Sequence, residues 1–355
     1  MKKICIVTTS MGKGGAERFS AILSQMITKF GYDVHIVTTK NEVNYEYSGK
    51  LFNLEAQLKN SKSNFKKIKI LKSYFKRHDF DVIIDNRTRP KFFKEFIVYN
   101  YVFKAKKVIS IVHSYYLKKY LPSSVFLARL LYNKVRIVAV SKAIQQALKT
   151  KYKFNDCKQI YNPADIKNIS KKVNEEVLIN DKYILFYGRI EERVKNLTLA
   201  LKAYKTSLLP KKGFKFFIIG DGSDIPLLIK TVKELQLEPY VNHIPYIENP
   251  FPYVKKAFFT TLTSRHEGFP MVLIESLSCN TPVVSVDCKS GPNEIIEHGF
   301  NGLLVENHNV IELANAFNQF IEDDSLYNTC KSNARYSVQR FSIDNITAQW
   351  KELLE

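Results

Sequence analysis

The sequence predicts an α/β protein: two doubly wound, Rossmann-like domains facing across a cleft. Three observations lead there. Apolar runs of strand length alternate with amphipathic stretches of helix length from the first residues onward. The alternation breaks once, at Tyr161-Asn162-Pro163-Ala164-Asp165 and the polar stretch to Asp181, and then restarts. At 355 residues, 45% hydrophobic and 25% charged, the chain can bury a core in each of two domains.

The elements follow in order. Residues 3–9 (KICIVTT) read as a buried strand. A signal peptide is the competing reading of MKKICIVTTS, but its apolar run is short and a glycine-rich turn follows at once. The turn at 12–15 leads into a helix at 16–30 and a strand at 33–38. Further strands are expected at 82–85, 107–112 and 136–140, with helices at 63–77, 91–103, 123–133 and 142–150. Such alternation implies a parallel sheet covered on both faces. Past the break come strand 183–187, helix 196–207, strand 214–219, helix 223–236, strands 241–244 and 258–262, helix 271–279 and strand 282–286. Three helical stretches close the chain, the last at 342–354. No apolar run reaches the ~20 residues of a membrane-spanning helix, and no repeat or low-complexity tract appears.

Five scattered cysteines, with no CxxC pair and no zinc spacing, read as reduced thiols of a cytoplasmic protein. The net charge of +20 is not evenly spread. Residues 1–165 carry +21 and residues 166–355 carry −1; between Tyr101 and Thr150 there are ten basic residues and no acid. Such asymmetry implies an anionic partner for one half (nucleic acid, a membrane face or a phosphorylated substrate), with simple solubility as the competing reading.

Five constellations carry chemistry. Gly12-Lys13-Gly14-Gly15-Ala16-Glu17-Arg18 opens the first helix, where glycines admit a close ligand and helix N–H groups suit an anion. It is not a dinucleotide fingerprint: Glu17 stands where the third glycine belongs, and Thr38-Thr39-Lys40 lacks the ribose-binding acid. Gly188-Arg189-Ile190, with Lys195-Asn196 beyond, sits at a strand end, where arginine grips phosphate oxygens and lysine adds a point charge. Gly220-Asp221-Gly222-Ser223 makes a tight turn with Ser223 as an N-cap. Ser264 to Glu275 (SRHEGFPMVLIE) places Glu267 in a loop and Glu275 in the next helix. That loop and helix start suit a diphosphate, and a carboxylate suits paired sugar hydroxyls. Glu275 falls in an apolar run, where an unpaired carboxylate is costly. Ser290-Gly291-Pro292-Asn293-Glu294 is a further turn at the same edge, with Glu294 also readable as a first-turn helix charge. His113 follows strand 107–112 at the ligand-facing end of domain one; it reads as a structural histidine or as a donor-sugar contact.

Taken together, these residues resemble the retaining glycosyltransferases of family 4, with the GT-B fold. The resemblance rests on Gly14-Gly15, Gly188-Arg189 with Lys195-Asn196, the Glu267–Glu275 pair, the GDGS turn, Ser141-Lys142-Ala143 and Asn162-Pro163, and is densest over 183–305. It implies an N-terminal acceptor-side, membrane-facing domain (1–165), a nucleotide-sugar domain (166–340) and a C-terminal helix (341–355) crossing back to domain one. It further implies that Arg189 and Lys195 bind the donor diphosphate and stabilise the leaving group, that Glu275 binds ribose, and that Glu267 and His113 contact the donor sugar. Tyr246 and Ile247 flank the base. Gly188, Gly268, Phe269, Met271 and Val272 belong to the donor pocket, and Gly14 and Gly15 lie against donor phosphate or acceptor. No metal is implied, since the cations replace it electrostatically. The GGAER turn and the FPMVLIESLSC stretch are most similar to bacterial enzymes of surface-polysaccharide assembly, some of which move N-acetylhexosamines from UDP donors to lipid-linked acceptors.

The surplus cations point to a membrane. Residues 63–77 put Phe65, Ile68, Leu71 and Phe75 on one helical face with lysines around them, and 91–107 and 115–136 interleave aromatics and cations. Part of each apolar face is expected to pack on the sheet. No nucleic-acid module appears. The expected location is therefore cytoplasmic, peripheral on the inner face of the plasma membrane. A non-catalytic protein with a degenerate nucleotide-sugar fold, held at membrane or nucleic acid by its basic half, is the alternative.

Overall fold

The computed structural model describes residues 1–12, 14–58, 61 and 63–355. Lys13, in the first glycine-rich turn, lies outside the described residues. The chain divides into two compact units, Met1–Pro163 with Ile343–Glu355, and Ala164–Ser342.

The first unit opens with β1 (Lys3–Thr8), α1 (Gly15–Thr28), β2 (Asp33–Thr38), β3 (Lys50–Asn53), α2 (Leu54–Leu58), α3 (Asn64–His78) and β4 (Phe80–Asp85). Then come α4 (Phe92–Ile97), a π-helical turn (Val98–Val102), β5 (Ala105–Val112), α5 (Val125–Tyr132), β6 (Val135–Ala139), α6 (Lys142–Tyr152) and β7 (Lys158–Gln159). Among the described residues the sheet is seven-stranded, ordered β3-β2-β1-β4-β5-β6-β7, and every pairing is parallel. The strands are buried because both faces are covered. In β1, Ile4, Cys5 and Ile6 are fully buried, as are Ile83 and Ile84 in β4.

Helix α3 corrects the expectation of a membrane-facing stripe. Phe75 is fully buried, and Ile68, Leu71 and Tyr74 pack on the cluster of Cys5, Val7, Phe80 and Ile83. Only Phe65, one turn from the Ser63 N-cap, stays out, 78% exposed. An amphipathic helix beside an apolar sheet face buries that face on the sheet before it can serve a lipid.

The second unit runs through α7 (Ile166–Lys172), β8 (Tyr183–Tyr187), α8 (Glu192–Lys195), α9 (Leu197–Thr206), β9 (Lys215–Ile219), α10 (Ile225–Glu234), β10 (Val241–Ile244) and α11 (Phe251–Lys256). It continues with β11 (Thr260–Leu262), α12 (Met271–Ser278), β12 (Val283–Val286), α13 (Pro292–Ile295), β13 (Gly302–Val305), α14 (Val310–Glu322) and α15 (Asp324–Ser337). Its described strands form a parallel sheet ordered β10-β9-β8-β11-β12-β13. Helix α7 occupies the segment read as a polar boundary. Asp165 caps it by accepting from Asn168 N at 3.0 Å, and Ile166 and Ile169 are its buried residues. The last helix, α16 (Ile343–Leu354), belongs to the first unit. Its Trp350 is fully buried and lies 6.0 Å from the Phe19 ring of α1.

Both sheets have the doubly wound order 3-2-1-4-5-6 by position within the unit, the first with a seventh strand beyond, so each reverses direction once: between β1 and β4, and between β8 and β11. At such a switch point the loops leaving the two central strands splay apart and leave a crevice for ligand.

Candidate active site

In the second unit the loops that leave β8 and β11 carry the predicted residues. Gly188 ends β8 with φ +143°, and Gly220 ends β9 with φ +145°. A Cβ on Gly220 would lie 1.9 Å from the Gly188 carbonyl oxygen, and one on Gly222 would lie 1.9 Å from that of Ile190. Glycine is required at both because the GDGS turn presses backbone to backbone on the Gly188-Arg189-Ile190 loop. Ser223 is not the N-cap. Asp224 holds that position, and its carboxylate accepts from Glu192 N at 2.8 Å, tying the turn to α8.

Arg189 is exposed, next to buried Ile190. One short helix on, Lys195 Nζ meets Glu267 Oε1 at 2.6 Å, with the two side chains 17% and 14% exposed. Ser264 donates to the same oxygen at 2.6 Å. This pair bridges the end of α8, the short helix that follows β8, and the loop after β11, the two sides of the switch point. Below it, Arg265 donates to Asn196 Oδ1 at 2.9 Å and approaches Glu192 at 3.7 Å. Thr263 donates to the carbonyls of Lys195 and Asn196 at 3.0 and 3.1 Å. The two segments are thus sewn together by Glu192 and Thr263, which the motifs did not include, and by Ser264 and Arg265, which stood in the SRHEGF motif without a role of their own. Their signal was weak, since polar residues flanking a glycine are ordinary in loops.

Glu275 lies in the second turn of α12, 5% exposed. Tyr187 Oη, at the end of β8, donates to Val272 O at 2.7 Å and lies 3.5 Å from Glu275 Oε2. The structure therefore places this carboxylate below the first turn of α12, not in open solvent. Gly268 is buried, its carbonyl accepting from Ser290 Oγ at 2.8 Å. Phe269 is 5% exposed and packs edge-on to Phe341 at 5.2 Å. Met271 and Val272 form the first turn of α12, half-buried, where backbone N–H groups lack carbonyl partners within the helix. Past β10, Tyr246 is 43% exposed while Ile247 packs on the cluster that includes Tyr187, Ile219 and Phe251. All these positions follow the C-terminal ends of strands of one sheet.

In the first unit, Gly14 is the N-cap of α1 and Gly15 its first, exposed residue. The Glu17 carboxylate folds back to within 2.0 Å of where a Gly14 Cβ would sit. His113, just past β5, hydrogen-bonds through Nε2 to Asn86 Oδ1, and Phe19 meets its ring edge-on at 4.9 Å. Burial, helped by the Arg89 guanidinium, pushes its imidazole down to about 3, so it is neutral at pH 7. Beside it lies a buried charge network absent from the sequence reading. Asp85 accepts from Arg87 at 2.9 and 2.8 Å, and Arg87 also pairs with Glu95 at 2.9 Å. Arg89 donates to the carbonyls of Asp85 and Ile111 at 3.1 and 2.7 Å. Burial alone would raise the Asp85 carboxyl, but Arg87 and Arg89 outweigh it and hold the group below the usual carboxylate range. Among the described residues, no group of three His, Cys, Asp or Glu side chains is placed to hold a metal ion.

Comparison with known proteins supports the same class. The Glycosyltransferase Family 4 model matches residues 13–168, and the Glycosyl transferases group 1 model matches residues 167–337. A Campylobacter jejuni protein, N-acetylgalactosamine-N,N'-diacetylbacillosaminyl-diphospho-undecaprenol 4-alpha-N-acetylgalactosaminyltransferase, is 31% identical over 96% of each chain. The poly(ribitol-phosphate) alpha-N-acetylglucosaminyltransferase of Staphylococcus aureus is 27% identical over 62% of this chain and 44% of its own. Among solved structures, a point mutant of S. aureus TarM, in complex with Fondaparinux, alpha-GlcNAc-glycerol and UDP, superposes over all of both chains with TM-score 0.82 at 16% identity. Anabaena Alr3699/HepE with UDP superposes over 100% of this chain and 99% of its own, at TM-score 0.74 and 21% identity. Two doubly wound units of this kind make up the GT-B fold. The chain belongs to glycosyltransferase family 4.

Proposed function

We propose that the chain moves an N-acetylhexosamine from a UDP-sugar to a lipid-linked or polymer acceptor in surface-glycan assembly, retaining anomeric configuration and needing no metal. One observation carries the reading: Lys195 and Glu267 meet across the switch point of the second sheet, with exposed Arg189 in the loop that leaves β8 and α12 starting four residues after Glu267. Cations and helix N–H groups at that place suit a diphosphate. The names of the C. jejuni and S. aureus relatives speak for the sugar and acceptor classes, and the UDP in TarM and HepE for the nucleotide.

In this reading Arg189 and Lys195 take up the charge that develops on the departing diphosphate. Glu275 accepts ribose hydroxyls, and Tyr246 and Ile247 flank the base. Glu267, already held by Lys195 and Ser264, keeps a second oxygen for a donor-sugar hydroxyl. His113 contacts the donor sugar, and Gly14 and Gly15 lie against phosphate or acceptor. The acceptor oxygen bonds to the anomeric carbon as the glycosyl–phosphate bond breaks on the same face, and its proton passes to the leaving phosphate oxygen.

The basic half serves an anionic membrane at the inner face of the plasma membrane. Its contact is not α3 but α4 and α5. Phe93 is 81% exposed and Phe126 74%, with Ile97, Tyr101 and Leu130 beside them at helical spacing. Lys91, Lys94 and Arg129 are exposed around them, and Glu95, the one acid between residues 90 and 155, is buried on Arg87. Exposed aromatics ringed by cations suit an anionic lipid surface.

A thermal-shift screen against UDP-, GDP- and ADP-sugars tests the donor. A UDP-sugar is expected to raise the melting temperature, because ligand bound to the native state stabilises it. Slow donor hydrolysis without acceptor is expected, and lost in Lys195→Ala. No shift with any nucleotide sugar would sink the reading.

A further inference from the structure

Asn86, the first residue after β4, reaches across the switch point of the N-terminal sheet. It is 4% exposed. Its backbone N–H donates to Val7 O at 2.7 Å, so it stands directly beside the end of β1. Its side-chain amide touches three groups: Ala16 O at 2.7 Å and Ser20 Oγ at 2.7 Å through Nδ2, and His113 Nε2 through Oδ1.

These contacts settle the hydrogen positions by elimination. A backbone carbonyl only accepts, so the amide atom on Ala16 O must be the nitrogen. Ser20 is consistent with this, since its hydroxyl donates to the same carbonyl at 3.2 Å and its oxygen accepts from Asn86. The other amide atom is then the oxygen, which only accepts, so His113 Nε2 must carry a hydrogen. A neutral imidazole with its hydrogen on Nε2 keeps the lone pair on Nδ1.

We propose that Asn86 is a positioning residue: it fixes His113 as the neutral Nε2–H tautomer, so that Nδ1 is held as a hydrogen-bond acceptor for a hydroxyl of the transferred sugar. The proposal rests on the reading of His113 as a donor-sugar contact and goes beyond it by naming the tautomer and its cause. The surroundings agree. Arg89, 1% exposed, is the nearby cation and opposes a second proton on the ring. The Tyr120 hydroxyl accepts from the His113 backbone N–H, Phe19 covers the ring edge, and Glu17 lies close enough to Tyr120 to raise its hydroxyl. No carboxylate touches the ring among the described contacts. The same amide also ties the first turn of α1, just past Gly14-Gly15, to the end of β4.

The first test needs no variant beyond an assignment. Long-range proton–nitrogen NMR on the full chain with ¹⁵N-labelled histidine at pH 7, with His113→Gln to assign the signal, is expected to show a protonated Nε2 and a pyridine-like Nδ1. An Nδ1–H tautomer or an imidazolium would overturn the proposal. The second test is kinetic. Asn86→Asp places an anion on Nε2, which favours the imidazolium. It is expected to lose on the order of tenfold in kcat/KM, the size of one misdirected hydrogen bond in the transition state. It is also expected to keep the UDP Kd and to gain an ionisation between pH 5 and 8 that the parent lacks. A profile of unchanged shape, with losses that track thermal stability alone, would assign Asn86 a purely structural role and overturn the proposal. The nitrogen shifts are read without substrate. Their failure is therefore separate from a failed nucleotide-sugar screen, which would remove the donor site itself.

Discussion

At the residue scale, spacing and context made some chemistry legible and hid its partners. Glu275 stood out because a carboxylate in MVLIESL needs a reason, and it is indeed buried under Tyr187. Lys195 and Glu267 each stood out at a strand end, but their 2.6 Å ion pair spans 72 positions and no local pattern predicts it. The Asp85–Arg87–Glu95 network was equally hidden, although an acid closing the apolar run VIID hints at a buried partner. His113 carries a pH prediction at this scale. An unfolded histidine titrates near ~6.5, whereas burial and Arg89 push the folded group down to about 3. The unfolded chain therefore binds a proton that the native state refuses. The stability linked to His113 is full above ~6.5 and is lost as pH falls toward 3, at roughly 1.4 kcal/mol per pH unit for one group. His113→Gln has no such proton to gain. Between pH 7.5 and 4.5 the parent is expected to lose more melting temperature than His113→Gln, and parallel losses would contradict the lowered imidazole.

At the element scale, long periodic segments were read nearly to the residue, because each has a full apolar face or run to signal it. Strands 183–187 and 241–244 and the helix from Met271 fall where expected. Short pieces were missed for lack of such a signal. Strand β3 is a four-residue edge with no buried position, β7 has two residues, and α7 offers only Ile166 and Ile169 to the core. The stripe on α3, one part of the membrane expectation beside 91–107 and 115–136, failed for a different reason. The helical spacing on α3 is real, but periodicity does not say whether a stripe meets lipid or a neighbouring sheet. Helices α4 and α5 leave Phe93 and Phe126 outside, and these carry the prediction. Phe93→Ser with Phe126→Ser is expected to abolish co-sedimentation with phosphatidylglycerol vesicles while leaving nucleotide-sugar binding unchanged. Binding to pure phosphatidylcholine should be weak throughout, and 0.5 M salt should weaken the anionic case. Equal sedimentation of parent and variant, or self-association lost in the variant without any lipid binding, would exclude this surface as the membrane contact.

At the scale of the whole molecule, the chain closes on itself. It leaves the first unit at Pro163, builds the second, and returns at Ile343 to complete the first. The returning helix is held by its own apolar face: Ile346, Trp350 and Leu354 are fully buried, and Leu353 nearly so. Lys2 donates to Leu354 O at 2.7 Å, and Lys158 pairs with Glu352 at 2.7 Å, so both ends of the first unit's sequence grip the last helix. The core of the first unit thus depends on a helix that lies on the far side of the second unit in sequence. Trp350→Ala removes the largest of these side chains and is expected to cost about 3–5 kcal/mol, the usual toll of emptying a buried aromatic site. That loss belongs to one unit. Hydrogen exchange read by mass spectrometry should show weakened protection in peptides covering α1 and strands β1, β2 and β4. Peptides from β8, β9 and β12, whose packing includes nothing from α16, should keep theirs. If protection fell equally in both sets, the closing helix would have to be part of a single cooperative core. The division at Pro163 and Ile343 would then describe chain geometry without describing how the molecule unfolds.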